Sequence, residues 1–421
     1  MAFFNSSADA LLVNSLDESY FDMAYGGNYA VLIGMFRKED FGGDAKKVPL
    51  KYAFGSGNGA TAATAYANAG LALRTAFVVT PFTCYGESLV PLNQAAFTNG
   101  ENAAVALLMD EAKTAMNSCR NQADAAMGAT GYGELGTIAS STGSGPSYVL
   151  TMTYQSDINH LRPYVGSTFA SKATPSSASL DTGTFTINAV ADFNKTVTVT
   201  ANNSWAPTNG HVVGLSGTLA ASASPVAWPG VPGWIPPAAS RPLASNDSFF
   251  GVNRSISETL LAGSALDISG PGGGVQTILD GINTLDATIA DVPGSNPDLA
   301  IMSFQNIGKI KASAQTQNRY SSGTVQGQDI SVFYKSIKVD GTKGEIDIVG
   351  SSNWPSYLVG VLDKSTWVIG SPGNKPFVPA TADGNPTETV PGQDTAVTAY
   401  RGNFLMWCVA PGYNGMLTVK A

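Results

Sequence analysis

The residues best suited to chemistry in this chain include a glycine run, Gly270–Gly274, which stands directly before an amphipathic segment. A glycine-rich entry to a helix is the type of site that binds phosphate in P-loops and dinucleotide folds. The Lys-Ser/Thr pair of a P-loop does not follow the run. The preceding strand and ribose-binding acid of a dinucleotide site are also missing. We therefore interpret these glycines as a flexible helix entry.

Histidine chemistry and metal binding have little support in the sequence. His160 and His211 are the only histidines, and no cluster with metal-ligand spacing surrounds either one. A Ser-His-Asp arrangement remains open, but no Gly-x-Ser-x-Gly elbow supports it. Asp280, Asp286 and Asp291 do not have the spacing of a calcium-binding EF-hand loop. The sequence predicts a protein that is not an enzyme and has neither cofactor nor metal.

A cluster of charges near residue 46 has two interpretations. Lys46, Lys47 and Lys51 follow the acidic residues Glu39, Asp40 and Asp44. The charges could form solvated local pairs, which contribute little to stability. They could instead pair between subunits when this segment lies on a neighbouring copy.

Composition favours a protein with extensive protein contacts. Only 13% of the 421 residues are charged, about half the usual ~25%, and interface cores are depleted of charge. A polar or secreted protein is the alternative interpretation. The net charge of −8 argues against a protein whose main task is to grip nucleic acid. The three cysteines form no disulfide pattern, and we find neither a signal peptide nor an apolar run long enough for a membrane span.

The first part of the chain consists of three segments that would gain little burial if each folded alone. Residues 1–45 resemble an arm without sustained periodicity. Lys46–Leu92 reads as an extended hairpin whose tip contains Gly55–Thr61. A capping box at Thr98 and Glu101 starts a long helix, predicted over Asn99–Met127. Ordering such segments loses backbone entropy without matching burial, which indicates that neighbouring copies supply the missing surface.

The remaining chain mixes strands and helices without regular alternation, which favours the α+β class. β-branched runs follow the long helix, and then a connector rich in proline and tryptophan. A second amphipathic helix ends at Pro293, and another is predicted over Phe304–Thr316. Strand patterns follow, and the segment Pro372–Asp394 reads as a surface loop before a final strand, Ala396–Val409.

This order of segments resembles the major capsid proteins of tailed bacteriophages, which share the HK97-like fold. Local stretches add to the resemblance. They are Ile158–Gly166, Thr184–Ile187, Thr196–Val199 and Asn209–Val213 in a small β insertion, Phe249–Ser255 at the entry to the axial domain, and Gly344–Val349 and Tyr357–Asp363 within it.

The resemblance implies an architecture of six segments. They are an N-terminal arm (1–45), an extended hairpin or E-loop (46–95), the spine helix with the start of the peripheral domain (96–146), a β-rich insertion and connector (147–240), an axial domain (241–380), and a surface loop with the return strand of the peripheral domain (381–421). A lysine–asparagine crosslinking pair is not identified.

The resemblance also implies a structural function. The chain would self-assemble into hexamers and pentamers of an icosahedral head that encloses double-stranded DNA, contacted weakly and without specificity. Its partners would be further copies of itself, a scaffolding protein, a portal and a decoration or cement protein, with no membrane. It would assemble in the host bacterial cytoplasm and reside in the virion. The expected assembly contacts are Gly55, Gly57, Asn58, Gly59, Lys46, Lys47, Lys51, Glu39, Asp40, Tyr357 and Asp363.

Two alternatives stay open at this point. An encapsulin-type shell would have the same fold and enclose protein cargo. A secreted β-rich adhesin or carbohydrate-binding protein would fit the Thr/Ser/Asn-rich middle of the chain and the residues Trp228 and Trp234.

Overall fold

The chain forms 22 described strands and several short helices. The computed structural model describes residues 36–53, 57–91, 115–116, 119, 122–191, 193–219, 221, 228–245, 247–270, 277–318, 337–351, 353–371, 377–379, 387–389 and 395–419. The strands are β1 Arg37–Asp40, β2 Lys46–Ala53, β3 Leu73–Val79, β4 Phe82–Pro91, β5 Gly136–Ser144, β6 Ser147–Met152, β7 Thr168–Lys172, β8 Thr184–Ala191, β9 Thr196–Asn202, β10 Val212–Leu215, β11 Ser248–Phe249, β12 Val252–Asn253, β13 Ser264–Asp267, β14 Leu299–Ser303, β15 Ile337–Asp340, β16 Glu345–Ser351, β17 Leu358–Leu362, β18 Trp367–Ser371, β19 Phe377–Pro379, β20 Thr387–Thr389, β21 Thr395–Cys408 and β22 Gly415–Thr418. The labelled α-helices are α1 Ala62–Ala67, α2 Gln155–Leu161, α3 Val231–Trp234, α4 Glu258–Ala262, α5 Ile278–Ala290 and α6 Phe304–Asn318.

The first of two compact units falls within residues 1–44, 80–126 and 368–406. Its sheet has the strand order β1-β18-β21-β19, and β4 and β20 also pair with β21. The long strand β21 is rich in β-branched and aromatic residues, which favour extended structure. It pairs with β4 in antiparallel register from Thr395↔Pro91 to Phe404↔Phe82.

Part of the predicted spine helix belongs to this unit. Residues 115–116, 119 and 122–127 are helical, and we call them the Cys119 helix. The predicted start of the helix at Thr98 and Glu101 lies outside the described residues.

The second unit falls within residues 45–79, 127–367 and 407–421. It starts with β2 and β3, the first part of the hairpin predicted over Lys46–Leu92; the last part of that prediction is wrong, because β4 lies in the first unit and pairs with β21. Strands β2 and β3 pair in antiparallel register from Lys46↔Val79, with an irregularity between Lys51 and Ala53. The base of the hairpin is anchored because Phe77 is fully buried and its ring lies 5.1 Å from that of Trp234.

The β insertion is a closed six-stranded barrel of order β10-β5-β6-β9-β8-β7. Its strands alternate as the sequence pattern predicts: in β9, Val197 and Val199 are buried while Thr198 is exposed. Helix α2 contributes Ile158 and Leu161 to the same core, which also contains Phe169, Phe185 and Trp205. Closure leaves the barrel sheet without free edges.

A second sheet, of order β13-β22-β17-β14-β16-β15, forms the region predicted as the axial domain. All five residues of β14 and of β17 are buried, as expected for central strands. Helix α5 packs Ile282, Leu285 and Ile289 into the core of this sheet.

Two predicted segments differ from the structure. Pro372–Asp394 was expected to be a surface loop, but β19 and β20 within it pair with β21, because a long partner strand offers backbone groups even to three-residue segments. The closing strand β22 pairs with β13 and β17 in the axial sheet, although 381–421 was expected to return to the peripheral domain. Strand β22 is short and buried, and its partners are distant in sequence. The other segment limits remain predictions.

Candidate assembly surfaces

The tip of the hairpin is more compact than a loop, because helix α1 folds against its glycines. A capping box between Thr61 and Thr64 starts the helix. A side chain at Gly57 would collide with the backbone carbonyl oxygen of Ala65, and one at Gly59 would lie about 2.6 Å from the Ala65 nitrogen. The Asn68 side-chain amide donates to the Asn58 carbonyl oxygen over 2.8 Å. Glycine is therefore required here for close approach, a role that the sequence pattern did not reveal.

The predicted contact Gly55 lies outside the described residues.

The hairpin presents large apolar side chains to solvent. Tyr66 is 87% exposed and Leu71 is 93% exposed. Leu73 and Val78, on β3, are exposed to 51% and 39%. Helix α1 has no buried residue. Exposed apolar groups clustered in one element are typical of interaction surfaces.

The three lysines near the base of the hairpin do not share one face. Strand β2 alternates, so Lys47 and Lys51 are exposed whereas Lys46 is half-buried. The Lys46 Nζ lies 5.1 Å from the ring centroid of Trp407, at a distance that allows a cation–π interaction. Lys46 therefore differs from Lys47 and Lys51 in exposure, and contacts of the three lysines with another copy stay a prediction.

The predicted acidic partners of these lysines lie in the first compact unit. Glu39 and Asp40 are in β1, opposite Gly370 and Ser371 of the parallel strand β18. Glu39 is half-buried and Asp40 is exposed. Pairing with lysines of another copy stays a prediction.

Asp363 is a structural cap. Its side chain is buried, and its Oδ1 accepts hydrogen bonds from the Ser365 nitrogen at 3.0 Å and the Ser365 hydroxyl at 2.6 Å. Its Oδ2 accepts from the Asn296 nitrogen at 3.3 Å. These contacts fix the turn between β17 and β18 and give the carboxylate partners inside the subunit.

Tyr357 belongs to a clamp between the barrel and the axial sheet. Its ring stacks on that of Tyr154 with centroids 4.2 Å apart. Nearby, the Ser356 nitrogen donates to the Ser156 hydroxyl over 3.2 Å. Burial raises the pKa of Tyr357 above its usual range, so its hydroxyl stays protonated. The assembly role predicted for Tyr357 remains untested, and its clear role is to hold α2.

His160 also takes part in this clamp. Its Nε2 lies 2.7 Å from the carbonyl oxygen of Asn353, and its Nδ1 lies 3.2 Å from that of Leu135. Burial lowers the pKa of His160, against the opposing effect of these two carbonyls. The ring therefore joins two backbone segments and has the surroundings of a structural histidine.

His211 belongs to a chain of hydrogen bonds with Asp181, Ser171 and Trp205, which no sequence motif predicted. Its Nδ1 is 2.7 Å from the Asp181 Oδ2. The Ser171 hydroxyl donates to the same oxygen over 2.5 Å and accepts from Trp205 Nε1 over 2.9 Å. Because the Ser171 hydroxyl donates its hydrogen bond to a carboxylate and not to a histidine, this geometry is not that of an activated serine. The hydrogen bonds of Asp181 hold the loop before β8 against the barrel.

The remaining candidate residues also have internal partners. The first residue of the glycine run, Gly270, is described, but residues 271–276 are not. Helix α5 begins with its own capping box, in which the Asp280 carboxylate accepts from the Thr277 nitrogen at 3.0 Å. The Asp286 carboxylate accepts from the Thr342 nitrogen at 2.5 Å. A negative carboxylate at the helix entry disfavours phosphate there.

In the part of the chain that the structure describes, no group of three or more His, Cys, Asp or Glu residues could hold a metal ion. Within the same described ranges, no helix has the length and apolar character needed to cross a membrane.

Comparison with known proteins identifies the fold through solved structures. No family model and no curated protein matches the chain. A chain of the Cyanophage A-1(L) capsid asymmetric unit aligns with a TM-score of 0.50 and 10% identity, covering 93% of each chain. A structure from Mycobacterium phage Adephagia aligns with a TM-score of 0.41 and 12% identity, over 94% of this chain and 91% of the other.

The alignment with the cyanophage capsid chain extends over both sheets, the barrel and the hairpin, since it covers nearly the full length. It also agrees with the mixture of helices and strands described above. The predicted fold class is therefore confirmed: the chain has the α+β, HK97-like capsid fold.

Proposed function

We propose that this chain is a major capsid protein of a tailed bacteriophage, which self-assembles into hexamers and pentamers of an icosahedral head. The observation that carries the proposal is the likeness in fold, over 93% of both chains, to a protein of the Cyanophage A-1(L) capsid asymmetric unit. A head-to-tail contact that closes into a ring would build each capsomer from one repeated interface. In this role the protein is structural and not an enzyme.

The exposed hairpin supports self-association. Tyr66 and Leu71 gain burial only if another surface covers them, and in a shell the surface next to each subunit is another copy of the same chain. The low charged content of 13% is consistent with large contact areas between copies. Subunit contacts would therefore supply the burial that the hairpin lacks.

The proposal extends to partners and location. A scaffolding protein, a portal and a decoration protein would act with the shell, which would assemble in the host cytoplasm and reside in the virion. Packaged double-stranded DNA would touch the inner surface weakly, since the net charge of −8 offers no general attraction for phosphate.

The experiment that tests this function is sedimentation of the purified full chain, combined with electron microscopy across a range of protein concentrations. We expect closed shells, tubes or capsomer-sized rings. A protein that stays a 43.5 kDa monomer under all conditions, including crowding agents that promote assembly, would contradict the proposal. Glycan binding by such a monomer would favour the adhesin alternative. Shells that co-purify with a protein cargo would favour the encapsulin alternative.

A further inference from the structure

Two of the three cysteines meet where the Cys119 helix packs on strand β4. Cys84 and Gly86 are two residues apart in the strand and thus point to the same face. Ala115 and Cys119 are four residues apart, so they lie on one face of the helix. A side chain at Gly86 would collide with the Ala115 carbonyl oxygen and lie 3.0 Å from the Cys119 Cβ. Glycine at this position allows the helix backbone to approach the strand closely.

This close packing brings the two thiols together. The Cys84 Sγ and Cys119 Sγ are 2.9 Å apart, which is inside the van der Waals separation of two sulfur atoms. Each sulfur also lies near the other residue's carbonyl oxygen, at 3.7 Å and 3.6 Å. Both residues are free cysteines in the structure. Because a disulfide bond is about 2.05 Å long, its formation needs a movement of less than about 1 Å between the sulfurs.

We propose that Cys84 and Cys119 form a reversible disulfide bond that joins strand β4 to the Cys119 helix within one subunit. The oxidant would be a small-molecule disulfide such as oxidised glutathione. One thiolate attacks this molecule, which releases one small thiol and leaves a mixed disulfide on the protein. The second cysteine then attacks the protein sulfur of the mixed disulfide and releases the second small thiol. Two protein thiols are oxidised, and one small disulfide is reduced to two thiols.

The order of the two attacks follows from exposure. Cys84 is half-buried and Cys119 is buried. The hydrogen bond to Cys84 and then burial raise the pKa of the Cys119 thiol, so this thiol reacts more slowly with an oxidant in solution. Its sulfur is adjacent to that of Cys84, which favours attack on a mixed disulfide formed there. Cys84 therefore meets the oxidant first, and Cys119 closes the bond.

Cys408 provides an internal control. It is buried, and its sulfur lies 3.5 Å from the Asn414 side-chain nitrogen and 3.7 Å from the Thr366 hydroxyl oxygen. Burial raises the pKa of its thiol to about 12. It should stay reduced under conditions that oxidise the pair.

The bond would respond to the surroundings of the protein. Reducing compartments keep thiols free, whereas disulfides persist outside the cell. If the chain is a shell subunit, it would fold with Cys84 and Cys119 as free thiols inside the cell and form the disulfide after the particle leaves the cell. This timing rests on the proposed function, but the pairing itself does not.

Peptide mapping of the full-length protein tests the pairing directly. The purified chain is incubated with reduced or oxidised glutathione, alkylated, and digested with trypsin without reduction. Trypsin separates the three cysteines into peptides 75–113, 114–120 and 402–420. We expect 75–113 to be linked to 114–120 after oxidation, with 402–420 alkylated. Peptides that remain alkylated or glutathionylated at Cys84 and Cys119 would overturn the proposal.

Matched variants give a second readout. Oxidation should raise the Tm of the wild type and of Cys408→Ser by about 5 °C. Cys84→Ser and Cys119→Ala should show no rise and no linked peptides. An equal rise in Cys84→Ser would overturn the assignment. Because every readout comes from the subunit, it stays informative even if the chain does not assemble.

Discussion

The stability of the barrel depends on the ionisation state of one buried carboxyl group, that of Asp157. Its carboxyl group is buried at the start of α2. The Asp157 Oδ2 accepts hydrogen bonds from the Thr137 nitrogen at 3.1 Å and the Tyr154 nitrogen at 3.2 Å. Burial raises the pKa of this carboxyl to about 7, although the hydrogen bonds oppose the shift. The folded protein thus favours the neutral acid.

The pH dependence of Asp157 follows from that shift. The ordinary pKa is 3.8 and the folded value is about 7, so the unfolded state releases its proton first as pH rises. The stabilisation by the neutral acid is fully present below pH 3.8 and is lost as pH rises through about 7. Relative to Asp157→Asn, which is always neutral, we expect the wild type to lose on the order of 4 kcal/mol between these values. Urea unfolding at several pH values measures this difference.

Asp157→Ala is the control for the hydrogen bonds. It removes the acceptor for two backbone N–H groups and should destabilise the protein at every pH. Parallel stability curves for the wild type and Asp157→Asn would show that Asp157 remains ionised in the fold.

At the residue scale, the sequence identified residue types better than roles. Asp363 was predicted as an assembly contact, which stays a prediction, and the structure shows that its carboxylate caps a turn within the subunit. The partners Ser365 and Asn296 include one residue distant in the chain. The cysteines show no disulfide pattern in the sequence, yet the sulfurs of Cys84 and Cys119 are adjacent in the structure. Such contacts arise from tertiary packing, which local spacing does not encode.

The hairpin shows how an element can be stable at its base and incomplete at its tip. Phe77 and Val79 bury the lower part of β3, whereas Tyr66 and Leu71 are exposed. The antiparallel pairing satisfies the backbone between these ends. An element of this kind can keep its shape while it contributes an apolar surface to another molecule.

A double variant separates folding from assembly. Tyr66→Ser with Leu71→Ser removes exposed apolar surface, so it should change the free energy of unfolding by less than about 0.5 kcal/mol. It should nevertheless abolish or strongly reduce the sedimenting particles of the wild type. Sedimentation velocity measures particle formation, and thermal unfolding checks the subunit.

Phe193→Ser is the matched control for this surface change. Phe193 is 99% exposed but lies in the barrel, away from the hairpin in sequence. We expect it to assemble as the wild type does. Normal particle yield from the double variant would exclude the hairpin surface as an assembly contact.

At the element scale, strand patterns and turn residues predicted a hairpin over Lys46–Leu92, and the antiparallel strands β2 and β3 form its first part. The same reasoning missed α1, because Ala62–Ala67 is a short alanine and threonine segment beside a glycine-rich turn. Its capping box uses Thr64 in place of the usual Glu or Gln, so the common signal was absent. Helix α6, predicted over Phe304–Thr316, is observed at Phe304–Asn318.

At the scale of the molecule, two separate hydrophobic cores lie in the second compact unit. The barrel core contains Phe185, and the axial core contains Leu285. No residue belongs to both clusters. The ring stack of Tyr154 on Tyr357 and the contact of His160 with the Asn353 carbonyl oxygen connect the two regions.

Separate cores should give separable unfolding. Phe185→Ala should cost about 3–5 kcal/mol in the barrel and Leu285→Ala about 2–5 kcal/mol in the axial region. We expect Phe185→Ala to increase hydrogen exchange within residues 136–215 while the axial strands keep their protection. Leu285→Ala should have the opposite pattern. Equal loss of protection in both regions for either variant would show that they unfold as one cooperative unit.

The order of the segments along the chain was predictable from the sequence. The strand pairings that close the barrel and complete the axial sheet were not. Strand runs from Tyr148 to Val213 indicated a β insertion. Its completion depends on β10, which pairs with β5 and with β7, and those partners are separated by many residues. The axial sheet similarly receives β22 from the end of the chain. Local sequence patterns contain strand tendency, while the choice of distant partner emerges only when the whole chain packs.

The two ends of the chain segment that forms the barrel lie next to each other. A side chain at Gly133 would collide with the Thr218 carbonyl oxygen, and the Leu135 nitrogen donates to the Val213 carbonyl over 2.8 Å. A module with adjacent ends and no free sheet edge can be exchanged, trimmed or enlarged while the host backbone spans almost the same gap. We therefore expect the barrel to accept an inserted peptide while the sheets around it keep their structure.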